Sequence, residues 1–317
     1  MTDDARPDLM ARLRQLKPRG KEPNSANVLN NWITAVERDA IGVEAGRLGW
    51  LVASTIVTAA LQRAVAKDGG TRFLLKGGTM LQHRLSAPTR STRDVDGLVT
   101  GDLEGFIADL DSVLAQPWGA VGFRRGEVEV IDTPAKIIKP RRFQVTLTLR
   151  GVTWRKVQIE LSPDEGSAGQ VGEAFPAAEL AGLGLPDPDH LVGLAMRYQI
   201  AQKLHAVTDS HNPPNDINDR ARDVVDLLLL KTLSEDTGEL TMPGIRAAGV
   251  DIFEARAKEA VALGRAPRAW PPQLIAYPHW YDDYAKASTS AHIDTPLEEA
   301  VATLNTWINE IDKARSC

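Results

Sequence analysis

Two aspartates one residue apart, Asp94 and Asp96, have the clearest potential for chemistry in this sequence. Alternate residues of a β-strand point to the same side, so a strand over 94–99 would direct both carboxylates at one point. Two like charges this close favour a cation between them, and hard carboxylate oxygens suit Mg²⁺ or Mn²⁺. Glu160, on the polar side of the period-two stretch WRKVQIEL, is the candidate third metal ligand. The sequence therefore predicts a divalent-metal site on a sheet.

A glycine-rich turn precedes these aspartates. FLLKGGTML places Lys76, Gly77, Gly78 and Thr79 between a strand-like apolar run and a helix-like run. Backbone N–H groups at such a turn, and the dipole of the helix that follows, attract anions, so these four residues are candidate nucleotide ligands. The turn lacks both the GxxxxGK[ST] and the GxGxxG patterns, which excludes a Walker A loop and a dinucleotide-binding loop. Beside a metal site, it predicts chemistry on a nucleotide phosphate.

The order GGT, fourteen residues, DVD and a later Glu160 resembles the DNA polymerase β-like nucleotidyltransferase superfamily. The sequence LLKGGTML…RSTRDVDGLV resembles the AbiEii/AbiGii-type (MenT-like) toxin branch of this superfamily. That branch also has a lysine on a later helix and an acidic RDxxDL motif. Lys203 in YQIAQKLHAV matches the lysine, and RDVVDL matches the motif, with Asp223 or Asp226 as its functional acid.

The resemblance covers about residues 70–235 and implies an α/β fold. The expected architecture is a small mixed-sheet nucleotidyltransferase core with N-terminal helices and a helical C-terminal domain. The implied reaction moves an NMP from an NTP to an acceptor hydroxyl and releases pyrophosphate, with Mg²⁺ (or Mn²⁺) as cofactor. In a toxin of this type the acceptor is the tRNA 3′ end, and a cognate antitoxin restrains the enzyme. NTP, tRNA and an antitoxin are therefore the expected partners.

The resemblance also assigns roles within the site. Asp94 and Asp96 would hold the metals, and Glu160 would assist them or act as the base. Lys203 would neutralise charge on the triphosphate. Three arginines are either further triphosphate contacts or solubilising surface residues; they are Arg84, Arg90 and Arg93. Two alternatives remain open: an acceptor that is a protein or a small molecule, and a nucleotide-binding regulator that does not turn over.

Composition limits the remaining classes of function. Among 317 residues, 43% are hydrophobic and 25% are charged, which is ordinary for a globular protein. No apolar run approaches the roughly 18 residues of a membrane helix, and no signal peptide is recognisable, so we expect a cytoplasmic protein. The only cysteine is Cys317. The net charge is −5, but residues 6–21 and 136–156 are basic. The second patch is either an RNA contact or a solvated face.

The pattern along the chain predicts five segments. A helix is expected to begin at the Asp187-Pro188 cap and to continue to Val207, with Lys203 on its exposed surface. Period-two stretches between 123 and 161 predict β structure. The predicted segments are a basic N-terminal arm over 1–24, N-terminal helices over 25–68, the nucleotidyltransferase core over 69–165, a Gly-rich linker over 166–186, and the helical C-terminal domain over 187–317.

Overall fold

The computed structural model describes residues 9–38, 45–85, 92–237 and 240–314, so Arg90 and Cys317 lie outside the described residues. Its centre is a mixed sheet of eight strands in the order β3-β5-β6-β2-β1-β8-β7, with β4 paired to β5. The strands are β1 Phe73–Lys76, β2 Asp94–Val99, β3 Val121–Arg125, β4 Glu129–Val130, β5 Arg141–Leu149, β6 Val152–Pro163, β7 Gly172–Phe175 and β8 Leu191–Leu194. The expected α/β class with a mixed sheet is confirmed.

Helices cover both faces of this sheet. Within the described residues they are α1 Leu9–Arg14, α2 Ala26–Arg38, α3 Arg47–Leu61, α4 Gly77–Arg84, α5 Leu103–Leu114, α6 Met196–Val207, α7 Ala221–Thr237, α8 Met242–Ala262, α9 Tyr281–Ser290 and α10 Leu297–Lys313. The last five form the helical C-terminal region that the sequence predicts. None of the described helices has both the length and the apolar character that crossing a membrane requires.

The two faces of the sheet carry different side chains. On one face, fully buried residues such as Val95 and Ile159 belong to the large core that also contains α2, α3 and α5. The opposite face carries Leu74 and Leu98, which form a second apolar cluster with residues of α6 and α8, including Ala201. Because Asp94 and Asp96 share the face of Leu98, the polar site lies beside the helices of the C-terminal region.

Several local predictions agree with the structure. Ser25 caps α2, since its hydroxyl accepts a hydrogen bond from the N–H of Val28 at 3.3 Å. The aspartate strand occupies the predicted range as β2. The apolar stripe of α10 is buried along its whole length; its members are Leu297, Val301, Leu304, Ile308 and Ile311.

The predicted helix from residue 187 is wrong over its first nine residues. Leu191–Leu194 form β8, which pairs in parallel with β1 and antiparallel with β7, and α6 begins only at Met196. A four-residue apolar run has too few residues to distinguish strand from helix, and pairing with the edge of β1 decided the outcome. Strand β7 itself lies inside segment 166–186, the predicted linker.

The segment predicted as a basic N-terminal arm is structured from residue 9 onward. Helix α1 buries Met10 and Leu13 in the main core. Arg19 follows it, donating from Nε to the carbonyl of Gly182 and lying over the ring of Trp32 at 4.1 Å. The described part of this segment therefore packs against the body of the protein. The division into five segments stays a prediction.

Candidate active site

One row of charged side chains crosses four neighbouring strands. Asp96 of β2 pairs with Lys76 of β1 and with Glu160 of β6, and Glu160 pairs with Arg142 of β5. Residues that are partners on adjacent strands point to the same side of a sheet. The row therefore reads positive, negative, negative, positive. Asp94, two residues before Asp96, projects from the same face.

The centre of this row has an excess of negative charge. Burial, the charge of Asp94 and the charge of Glu160 together raise the pKa of Asp96 to about 6, although Lys76 and Lys203 oppose the shift. Asp94 is oriented by Thr92, whose hydroxyl donates to Oδ1 at 3.0 Å. Two adjacent carboxylates with insufficient compensation have the electrostatic character of a cation site.

The glycine-rich turn lies directly against these aspartates. Gly77 begins α4 with a φ of +69°, a conformation that L side chains rarely adopt. A Cβ on Gly77 would lie only 2.2 Å from Oδ2 of Asp96, so a side chain would collide with that carboxylate. Thr79 is fully buried and its hydroxyl donates to the carbonyl of Asp94 at 2.7 Å. Conformation and space both require glycine at position 77.

Lys203 lies inside the protein, so its predicted position on an exposed helix surface is wrong. The side chain is 8% exposed, and Nζ donates to Oδ1 of Asp223 and Oδ2 of Asp226, both at 2.7 Å. Both candidate acids of the RDVVDL motif therefore contact the same lysine. The charge of Lys203 also acts on Asp96. The four motifs of the sequence meet on this side of the sheet.

Comparison with known proteins agrees with these motifs. Residues 59–306, more than half of the chain, match the family described as "Nucleotidyl transferase AbiEii toxin, Type IV TA system". The chain belongs to the AbiEii family. It is therefore a nucleotidyltransferase of a toxin family, and membership implies an NTP substrate and an antitoxin partner. The match extends beyond residue 235, where the recognisable motifs end.

Among solved structures, the chain is similar to MenT4, a nucleotidyltransferase toxin from Mycobacterium tuberculosis H37Rv. The identity is 13%, the alignment covers 92% of this chain and 99% of that chain, and the TM-score is 0.45. The search of curated proteins gave no match.

The donor set of this AbiEii-family site suits a hard cation. Among the described residues, no three His, Cys, Asp or Glu side chains converge as a ready-made metal cage. Oε1 of Glu160 instead accepts from Nε and a terminal nitrogen of Arg142, at 2.9 and 2.7 Å, and from Gln158 at 3.2 Å. Mg²⁺ commonly uses only one or two carboxylates and completes its shell with water and substrate phosphates. Asp94 and Asp96 fit that pattern.

Lys76 connects the carboxylate row to a second charged group. Its Nζ donates to the hydroxyl of Ser162 at 2.9 Å. Burial lowers the pKa of Lys76; Asp96 and Glu165 oppose that shift, while Arg256 adds to it. Lys76 is thus close enough to interact with both the aspartates and the buried Glu165.

The predicted arginines and the basic patch are mostly engaged by acids. Arg84 pairs with Glu173 at 2.8 Å, whereas Arg93 is exposed. In the 136–156 patch, Arg155 lies against Gly49. Four other basic residues of the patch pair with acidic side chains: Lys136, Lys139, Arg141 and Arg142. The positive charge of the patch is therefore partly neutralised, and its role in RNA binding stays a prediction.

Sequence patterns alone did not identify two residues of the site. Gln199 hydrogen-bonds the backbone of Gly77, and Arg142 holds Glu160. Gln199 precedes Lys203 by four residues and so shares its side of a helix, a signal that the sequence does contain. The pairing of Arg142 with Glu160 depends on the register of β5 and β6, which period-two patterns do not specify.

Proposed function

We propose that this enzyme is a metal-dependent toxin that transfers an NMP from an NTP to the 3′-terminal hydroxyl of tRNA. The observation that carries the proposal is the adjacency of Asp94, Asp96 and Glu160 to the turn at Gly77. Carboxylates for a divalent cation and backbone donors for phosphates then lie within one site. A cytoplasmic location belongs to the proposal, because NTPs and tRNA are cytoplasmic.

In the proposed reaction, the oxygen of the acceptor hydroxyl forms a bond to the α-phosphorus of the NTP. The bond from that phosphorus to the α,β-bridging oxygen breaks, and pyrophosphate leaves. Mg²⁺ (or Mn²⁺) held by Asp94 and Asp96 would lower the pKa of the attacking hydroxyl and offset charge on the leaving group. Glu160 takes the hydroxyl proton at Oε2, because Oε1 is already bound by Arg142 and Gln158.

Other groups of the site act on the triphosphate. The N–H groups of Gly78 and Thr79 lie in the first turn of α4, where backbone donors lack intrahelical acceptors. They are suited to donate to phosphate oxygens at the positive end of the helix dipole. Lys76 and Lys203 supply positive charge that acts on Asp96. Either of the two acids that contact Lys203, Asp223 or Asp226, would keep its ammonium in place.

The choice of acceptor rests on the resemblance to toxins that extend tRNA. Incubation of the enzyme with each α-³²P-labelled NTP and with total RNA, protein or a small-molecule extract tests this choice. We expect label in RNA of tRNA size. Periodate oxidation of the RNA destroys the 3′-terminal diol and should remove the acceptor. Label in protein or in small molecules, with none in RNA, would refute the tRNA assignment and favour the alternative acceptors.

The toxin role has a separate test. Expression of the wild-type chain should arrest growth, and expression of the Asp94→Ala variant at the same level should not. Co-expression of a neighbouring antitoxin gene should restore growth. Equal arrest by the wild type and the variant would show that toxicity does not depend on nucleotidyl transfer.

A further inference from the structure

Gln199 of α6 holds the left-handed turn at Gly77 by two hydrogen bonds, which together form a clamp. Oε1 of Gln199 accepts from the N–H of Gly77 at 3.0 Å, and Nε2 of Gln199 donates to the carbonyl of Gly77 at 3.3 Å. A primary amide offers a donor and an acceptor on one planar group, so it can pair with both the N–H and the carbonyl of one residue. Gln199 is only 2% exposed, which protects both bonds from exchange with water.

This clamp ties together groups that lie far apart in the sequence. Gly77 is in contact with Asp96, since a Cβ there would meet its carboxylate. Gln199 and Lys203 are four residues apart on α6 and therefore lie on the same side of the helix. Lys203 in turn contacts the aspartates of α7. A shift of Gln199 would change the distance between the turn at Gly77 and Lys203, both of which act on Asp96.

The clamp also determines which backbone donors remain for a ligand. The N–H of Gly77 is occupied by Gln199, so the next two amides, those of Gly78 and Thr79, are left to face an anion. Their direction depends on the left-handed conformation of Gly77, which glycine can leave at little steric cost. The two hydrogen bonds from Gln199 therefore restrict the conformations that Gly77 can adopt.

We propose that Gln199 is a positioning residue that fixes the phosphate-binding turn for the triphosphate of the NTP. The proposal rests on the proposed nucleotidyl transfer, because the triphosphate is the ligand of the turn. Gln199 does not touch the reacting atoms. It holds Gly77 so that the amides of Gly78 and Thr79, the carboxylate of Asp96 and the ammonium of Lys203 are set at fixed relative positions before the NTP binds.

The experiment compares Gln199→Met with a matched control, Gln62→Met. The amide of Gln62 also pairs in both directions with one residue, donating to the carbonyl and accepting from the N–H of Val192 on β8, and it donates to the carbonyl of Phe73 as well. Both variants lose a two-way clamp, but only one clamp holds the turn. We expect similar losses of thermal stability, with kcat/KM for NTP lowered about 10²-fold in Gln199→Met alone, the scale associated with misplaced reacting groups.

Affinity for a non-hydrolysable NTP analogue separates this proposal from the proposed function. Gln199→Met should weaken that affinity relative to Gln62→Met even if the acceptor has been assigned wrongly. A wild type that binds the analogue but labels no acceptor refutes the transfer function alone. If both variants match the wild type in kcat/KM and analogue affinity within about twofold, Gln199 has only a structural role.

A second variant, closer in shape to glutamine, covers the case in which Gln199→Met fails to fold. Gln199→Glu keeps the acceptor for the N–H of Gly77 but loses the donor to its carbonyl. It also brings a carboxylate towards Asp96. We expect weaker analogue binding and a lower kcat/KM in this variant too. Wild-type values for both quantities in folded Gln199→Glu would overturn the proposal.

Discussion

Two groups of carboxylates interact with Lys76, and they differ in how well their charge is compensated. At Asp96, burial and neighbouring carboxylates raise the pKa to about 6. At Glu165, burial alone would also raise the pKa, but Arg256, Lys136 and Lys76 outweigh it and hold the pKa well below its ordinary value. The pKa values of two acidic side chains that interact with the same lysine are thus shifted in opposite directions.

The contacts of Glu165 explain its environment. Arg256 binds both carboxylate oxygens at 2.7 Å, Lys136 binds Oε2 at 3.1 Å, and Gln202 donates to Oε1 at 2.8 Å. Each oxygen of this carboxylate thus accepts two hydrogen bonds from protein side chains. A fully satisfied ionic group fixes the positions of the elements that carry it. Glu165 therefore joins the end of β6 to α6 and α8, whereas the negative charge around Asp96 is only partly compensated by Lys76 and Lys203.

The largest expected effect comes from removing charge at the undercompensated group. Asp96→Asn should lower NMP transfer by about 10³-fold or more, since several kcal/mol of metal-assisted stabilisation are lost. Its melting temperature without metal should be unchanged or higher, because repulsion from Asp94 and Glu160 is relieved. Asp102→Asn is the control, since Asp102 caps α5 on the surface and asparagine also caps helices. Near wild-type transfer by Asp96→Asn with Mg²⁺ present would contradict the metal assignment.

Substitutions of Lys203 test whether a lysine in a buried ion cluster also contributes to turnover. Lys203→Ala should lower turnover about 10²–10³-fold, by analogy with the loss of one preorganised donor. It should also destabilise the fold by about 3 kcal/mol, because Asp223 and Asp226 lose their cation. Lys203→Arg should rescue turnover only in part, since a planar guanidinium does not replace a compact ammonium.

The control for Lys203 is Lys231→Ala, which removes a lysine paired with Glu235 on the surface of α7. It should change neither turnover nor stability appreciably. Steady-state transfer and urea unfolding, measured on all three variants, decide the outcome. A destabilised Lys203→Ala with wild-type turnover would confine this lysine to a structural role.

Glu165→Gln should have the opposite signature to Asp96→Asn. It leaves Arg256 buried against a neutral amide, so we expect the free energy of unfolding to fall by about 3 kcal/mol. Metal-dependent transfer should persist in the folded protein, since Glu165 holds no proposed ligand. Chemical denaturation and transfer assays on the same preparations test both parts. An unchanged unfolding midpoint would show that the ion pairs of Glu165 make no net contribution to stability.

The smallest effect is a pH dependence that arises from the same carboxylate. Because the folded-state pKa of Glu165 lies below the ordinary value of 4.5, its stabilising contribution is fully present above that pH. The contribution declines as the pH falls below it, by at most about 1.4 kcal/mol for each pH unit. The stability difference between wild type and Glu165→Gln should therefore shrink between pH 5 and pH 3. A constant difference over that range would contradict the lowered pKa.

The sequence by itself determined the local arrangement of the candidate site residues and the buried face of one helix. A strand places Asp94 and Asp96 on one face whatever surrounds it, because its side chains alternate by geometry. The buried stripe of α10 is likewise local, since it follows from helical periodicity. The sequence marks the turn by its glycine pair, but the collision of a side chain at position 77 with Asp96 depends on the tertiary structure.

Only the tertiary structure decided what lies opposite those elements. Strand β8 was formed by pairing with β1 rather than by the propensity of Leu191–Leu194. Lys203 was buried because α7 brings two aspartates to it, and an ammonium with such partners can leave water. The register of β5 on β6 set Arg142 against Glu160, and the docking of α6 set Gln199 against Gly77. Each depends on contacts between residues distant in the chain, which local periodicity does not encode.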